Sequence, residues 1–139
     1  MFKSKMIAFI GALAFSSLSF AFQNKPEACP KVTSIQAKGM SATKLMASGD
    51  YTVSTLDNYD TSSAWLFMIG PINTKSYKEA LTQGNQILTT IYGSPYPKKL
   101  NGDWVCLYNT INKDHIALAL WANMDISPLK MSQYLRKNH

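Results

Sequence analysis

Arginine is almost missing from this chain: of 139 residues only Arg136 carries a guanidinium, and histidine is confined to His115 and His139. A single arginine excludes the basic stripe with which proteins grip and fork-bond phosphate backbones, so nucleic acid is not an expected partner. Lysine supplies the rest of the positive charge and is scattered, apart from the neighbours Lys98 and Lys99. There is no CxxC or HxxxH spacing, and zinc would have to recruit Cys29, Cys106, His115 and His139 from four separate places, so no metal centre is expected. Serine-hydrolase motifs and glycine-rich phosphate loops are missing too, which argues against an enzyme. Past residue 21 no apolar run approaches the roughly 18 residues that a bilayer span requires.

What is present begins with the leader. MFKSK precedes an apolar run from Met6 to about Leu18, and small residues follow at Ser19 and Ala21. This is the layout of a secretory signal peptide over residues 1–21, with cleavage after Ala21. No lipobox cysteine accompanies it, so the mature chain is expected to lack a stable membrane anchor and to reach the periplasm or the extracellular space. Loss of Lys3 and Lys5 lowers the formal charge from +6 to +4 on residues 22–139, with 12 basic and 8 acidic side chains. A chain of that length builds one core, so residues 22–139 are read as a single domain.

Two cysteines survive cleavage, Cys29 and Cys106. Export favours their pairing, and the bridge would staple the proline-bearing, weakly apolar arm NKPEACPK onto a strand. In the chain-entropy view such a long loop is worth about 4 to 5 kcal/mol.

Hydrophobic patterning supplies the elements. KVTSIQA, Lys31 to Ala37, is rich in β-branched residues and is read as a strand, and KGMSATKLMASGD as a loop with a possible helical turn. Tyr51 to Tyr59 alternates as a half-exposed strand does; Ala64 to Gly70 is continuously apolar, as a strand buried on both faces is. From Thr74 the period changes: Tyr77, Ala80, Leu81, Gly84, Leu88 and Ile91 share one helical face, with Ser76 and Glu79 as a capping box, Thr74 as a rival cap, and Gly93 and Pro95 as the stop. Gly84 on that apolar face predicts close approach to a sheet. YGSPYPKKLNGD is read as a turn-rich connection. Ser127 and Pro128 open a short C-terminal helix. The order gives an α+β fold, a mainly antiparallel sheet of about five strands covered on one side by one long helix and the short terminal one.

NGDWVCLYNTINKDHIALALW, residues 101–121, reads as a hairpin. With a two-residue turn at Asn112 and Lys113, alternation puts Trp104, Cys106, Tyr108 and Thr110 with His115, Ala117, Ala119 and Trp121 on one face. Val105 and Leu107 join Ile116, Leu118 and Leu120 on the other, which is core. The aromatic face has room either for the disulfide and a packed helix or for a flat ligand. Asp114 and His115 are strand neighbours that point apart, so His115 reads as a turn residue and not as half of a catalytic pair.

A planar ligand such as haem asks for an apolar slot, an axial His or Tyr, and cations for its propionates. IYGSPYPKK holds these together: Tyr92 and Tyr96, four apart, precede Lys98 and Lys99, and Tyr108 and His115 add donors. The spacing resembles the Tyr-x-x-x-Tyr pattern of some secreted haem carriers, although here it straddles a loop. The leader MFKSKMIAFIGALAFSSLSFA, the two cysteines, a mature domain of 118 residues and the lack of a catalytic motif together resemble the small exported hemin-binding protein family of intracellular Gram-negative pathogens. That resemblance implies hemin binding at or outside the envelope in support of iron acquisition. The alternative is a secreted or periplasmic protein-interaction module, an inhibitor, adaptor or virulence factor, with Tyr51, Tyr59, Tyr92 and Tyr96 as contacts for a protein partner.

Overall fold

The computed structural model describes residues 25–122 and 128–135; the leader, the cap at Ser127 and His139 lie outside them. In chain order the elements are α1 (Val32–Lys38), β1 (Ala42–Leu45), β2 (Tyr51–Asp57), β3 (Trp65–Ile72), α2 (Tyr77–Leu88), β4 (Lys98–Leu100), β5 (Asp103–Tyr108), β6 (Ile116–Trp121) and α3 (Pro128–Leu135). The strands form one antiparallel sheet of six, in the order β1-β2-β3-β6-β5-β4. It is two three-stranded meanders joined where β3 pairs β6, with α2 in the connection between them. The fold is α+β as expected, with six strands in place of five.

Alternation explains why the sheet needs cover on both faces. Val53, Trp65, Phe67, Ile69, Cys106, Ala117 and Ala119 point one way and pack against Ile35 of α1 and Ala80, Gly84 and Leu88 of α2. Met68, Val105, Leu118 and Leu120 point the other way and pack against Met131 and Leu135 of α3. Helices therefore cover both faces, which corrects the one-sided arrangement read from the sequence. Of the hairpin's aliphatic row Val105, Leu118 and Leu120 are core where α3 sits on them, whereas Ile116 is half-buried and Leu107, read as core, is 44% exposed.

A buried polar cluster fixes α3. Asp103, 8% exposed, accepts from Lys130 Nζ at 3.1 Å and from the Tyr134 hydroxyl at 2.7 Å, which also lies 2.9 Å from the Leu100 carbonyl. Burial, then the Asp103 carboxylate, raises the pKa of the Tyr134 phenol far above its ordinary value.

Lys31 to Ala37 is not a strand. Residues 32–38 form α1, since tertiary burial of Ile35 outweighs the weak β preference of Val32 and Thr33. Gly39, at φ 76°, closes the helix with its N–H on the Ile35 carbonyl, and Lys38 pairs with Asp57 at 3.1 Å. The segment read as a loop contains β1, which pairs with β2 from Ala42↔Ser54 to Leu45↔Tyr51. The turn-rich connection contains β4, whose hairpin with β5 turns on Asn101 and Gly102, both at positive φ. β2 is not half-exposed: Tyr51 to Thr55 are all buried, flanked by β1 and β3 and roofed by α2.

α2 follows its sequence closely. The Ser76 hydroxyl accepts from the Glu79 N–H at 3.1 Å, and the helix ends at Leu88, one turn before Gly93. A Cβ on Gly84 would stand 2.4 Å from Val53 Cγ2, so glycine is what allows α2 to lie against β2. Gly84→Ala is expected to cost about 1–3 kcal/mol by overpacking, despite its better helix propensity. In a denaturation cycle with Val53→Ala the double variant should lose less than the sum of the singles; strict additivity would show that this contact is not the cause.

Candidate functional site

The hairpin face that had room for a ligand is occupied. β5 and β6 pair Val105↔Leu120, Cys106↔Ala119, Leu107↔Leu118 and Tyr108↔Ala117, the partners that the short turn predicted. The loop itself is wider. The ladder stops at Tyr108, and beyond it the Thr110 hydroxyl lies 2.9 Å from both the Asn112 and His115 carbonyls, while the His115 N–H donates to the Asn112 carbonyl at 3.1 Å. Cys106, Tyr108, Ala117 and Ala119 are buried together with Ile35 and Leu88, so α1 and α2 fill the space a flat ligand would need.

Tyr108 belongs to that packing. Its ring is 6% exposed and meets Phe67 edge-on, and its hydroxyl donates to the Pro30 carbonyl. Burial, and next the nearby Tyr59, raises its pKa, which removes it as a ready phenolate donor. Tyr51 and Tyr59, expected as exposed contacts, are 7% and 3% exposed. Tyr59 sits at φ 52° and sends its hydroxyl to the Thr55 carbonyl at 2.8 Å, while its N–H donates to the Asp57 carboxylate at 2.8 Å.

The arm ahead of α1 is held from three directions. Cys29 is bonded to Cys106, which is wholly buried; Pro30 receives Tyr108; and Lys25 Nζ lies 5.7 Å from the centroid of Trp104. Held there, the arm walls two depressions. One, of about 490 Å³, lies between Glu27, Lys31, Ser34 and the loop Tyr59–Ser62. The other, of about 360 Å³, lies between Cys29–Thr33 and Gly93–Pro95.

The second depression abuts the tyrosine pair singled out by sequence, since Gly93, Ser94 and Pro95 are the residues between Tyr92 and Tyr96. Tyr92 is anchored by two backbone hydrogen bonds with Asn109, at 2.8 and 3.1 Å. Gly93 follows at φ 116°, where any Cβ would meet Asn109 Nδ2 at 2.8 Å. The backbone is thus fixed while the rings stand out, Tyr92 51% and Tyr96 88% exposed. His115 lines a different, mainly apolar depression of about 280 Å³ with Ile87, Thr90 and Ile111. Lys98 and Lys99 are both exposed but diverge: Lys98 pairs with Val105 on the α3 side, and Lys99 with Trp104 on the arm side.

The structure thus places between Tyr92 and Tyr96 the residues that wall one groove, leaves both tyrosines out of its lining, sets His115 in a separate depression, parts the two lysines and buries Tyr108. The arm residues Cys29–Thr33 are the wall that sequence reasoning missed; Pro26 and Pro30, both buried, were the available hint of a fixed arm. Among the described residues no group of three or more His, Cys, Asp or Glu is placed to hold a metal ion, and none of the helices is long and apolar enough to cross a membrane.

The family model described as Domain of unknown function (DUF4949) matches residues 28–134, a span that holds both cysteines and every described element except the last residue of α3. No curated protein and no solved structure matches this chain.

Two outcomes check this geometry. Replacing both cysteines by serine should cost about 2–5 kcal/mol and free the arm, seen as faster tryptic cleavage after Lys31 under native conditions; an unchanged cleavage rate would show the arm is held without the bond. The Tyr59 N–H, and next Lys38, hold the Asp57 carboxyl below its usual value of 3.8. A depressed folded pKa stabilises above the unfolded value and is lost as pH falls through the folded one. Asp57→Asn should therefore lower Tm at neutral pH, with the gap to wild type closing as pH falls from about 5 toward 2.

Proposed function

Because this chain belongs to the DUF4949 family, a domain without an assigned role, its function is read from surface chemistry, and we propose that it is an exported, disulfide-stabilised protein that binds hemin at the Tyr92–Tyr96 loop in support of iron acquisition. The observation that carries the reading is the pair of exposed phenols on a loop whose backbone is pinned to Asn109 and whose intervening residues wall a 360 Å³ groove. A phenol oxygen is a donor for ferric iron, and a groove of that size lies at the lower end of small-molecule sites. Lys31 on the groove wall is a cation for one propionate, and Lys99 or Lys98 for the other. Export is supported by the leader and agrees with an oxidised cysteine pair. Binding here involves no catalytic step.

A protein-interaction module is the second reading, favoured by Tyr96, Ile111 and Leu56, which are 88%, 70% and 59% exposed. Titrating ferric hemin into residues 22–139 separates the two. The expected result is a Soret shift saturating at one equivalent, with affinity falling about tenfold or more in Tyr92→Phe or Tyr96→Phe, equivalent to about 1.4 kcal/mol. No shift rejects hemin and leaves the interaction module, whereas a shift indifferent to replacing both tyrosines together rejects the Tyr92–Tyr96 loop as the site.

A further inference from the structure

The free edge of β4 carries charge and aromatic surface that hemin binding does not use in full. Strand alternation turns Lys98 toward the α3 face and Lys99 toward the arm, so both sides of one rim are positive. On the arm side Lys25 Nζ and Lys99 Nζ each stand 5.7 Å from the centroid of Trp104. Tyr96, 88% exposed, precedes the strand. Asp103, on the α3 face with Lys98, does not neutralise this rim, because it is buried and bound by Lys130 and Tyr134. Glu27 on the arm is the one carboxylate among the exposed residues from 25 to 31.

We propose that this rim, Lys25, Lys98 and Lys99 around Trp104 with Tyr96 beside them, docks the protein edge-on to an anionic phospholipid surface. Lysines are compact point charges suited to a plane of phosphates, whereas discrete recognition of one phosphate favours the guanidinium fork that this chain almost lacks. Tyrosine and tryptophan rings, apolar in body and polar at the tip, settle at headgroup depth. Lysines on an edge strand also deter strand pairing, but that role accounts neither for Lys25 on Trp104 nor for the exposed ring of Tyr96. The attachment is peripheral and reversible, resting on charge and two rings without an inserted segment.

The test uses residues 22–139 without hemin, so it stands or falls separately from the function proposed above. Sedimentation with vesicles of phosphatidylglycerol mixed equally with phosphatidylcholine should carry the protein down at low salt, less at high salt, and not with phosphatidylcholine alone. Each lysine at such a surface is worth roughly a fivefold gain in partitioning, so Lys98→Gln with Lys99→Gln should weaken binding by roughly 25-fold. Lys75→Gln with Lys78→Gln, an equal charge change on exposed residues at the start of α2, should weaken it far less. The proposal is overturned by no binding to the anionic vesicles, by equal binding to neutral ones, or by equal losses from the two double variants.

Discussion

A covalent bond between Cys29, on an irregular arm, and Cys106, wholly buried on β5, decides where the N-terminal part of the described chain can lie. The arm has little apolar surface with which to hold itself down, and residues 27, 28 and 31 are exposed. Ordering each such residue costs roughly 1–2 kcal/mol of backbone entropy, which so polar a segment does not recover by burial. The bond shortens the unfolded chain's freedom instead, and Tyr108 on Pro30 then sets the angle at which the arm meets α1. Both depressions walled by the arm, and the place where Lys25 meets Trp104, follow from that attachment.

The tyrosines divide by what their hydroxyls do. Tyr59, Tyr108 and Tyr134 each reach a backbone carbonyl, of Thr55, Pro30 and Leu100, and burial raises all three pKa values first and foremost. Their polar tips are spent on carbonyls of β2, of the arm and of the end of β4. Tyr92 is attached through its backbone to Asn109, and its ring and that of Tyr96 stand largely in solvent. Solvent-facing phenols are therefore found at the rim of a domain whose sheet faces are already filled.

How much of this was legible depended on the range of the interactions involved. α2 could be read because its determinants are local: the three-and-four spacing, the Ser76 cap, and a glycine whose oddity anticipated Val53. The β5–β6 partners could be read because alternation within each strand is independent of loop width. α1 was obscured by its β-branched residues, although Gly39 after it is a usual helix stop. The Asn101-Gly102 turn was a hairpin signature left inside a stretch read as irregular, and with it β4 was lost. Which tyrosines are exposed was beyond reach, because that depends on helices arriving from elsewhere in the chain. The groove could not be read from the sequence, since its walls come from segments far apart in the chain.

The position of the two cysteines bears on how such a chain matures. On the proposed export route a polypeptide emerges amino end first, so Cys29 would reach the oxidising side early and stay a lone thiol until Cys106, 77 residues later, arrives. With no third cysteine in the chain there is one intramolecular pairing and nothing to reshuffle. The error open to this protein is a bond between two copies, which depends on how crowded the emerging chains are rather than on how well any one of them folds.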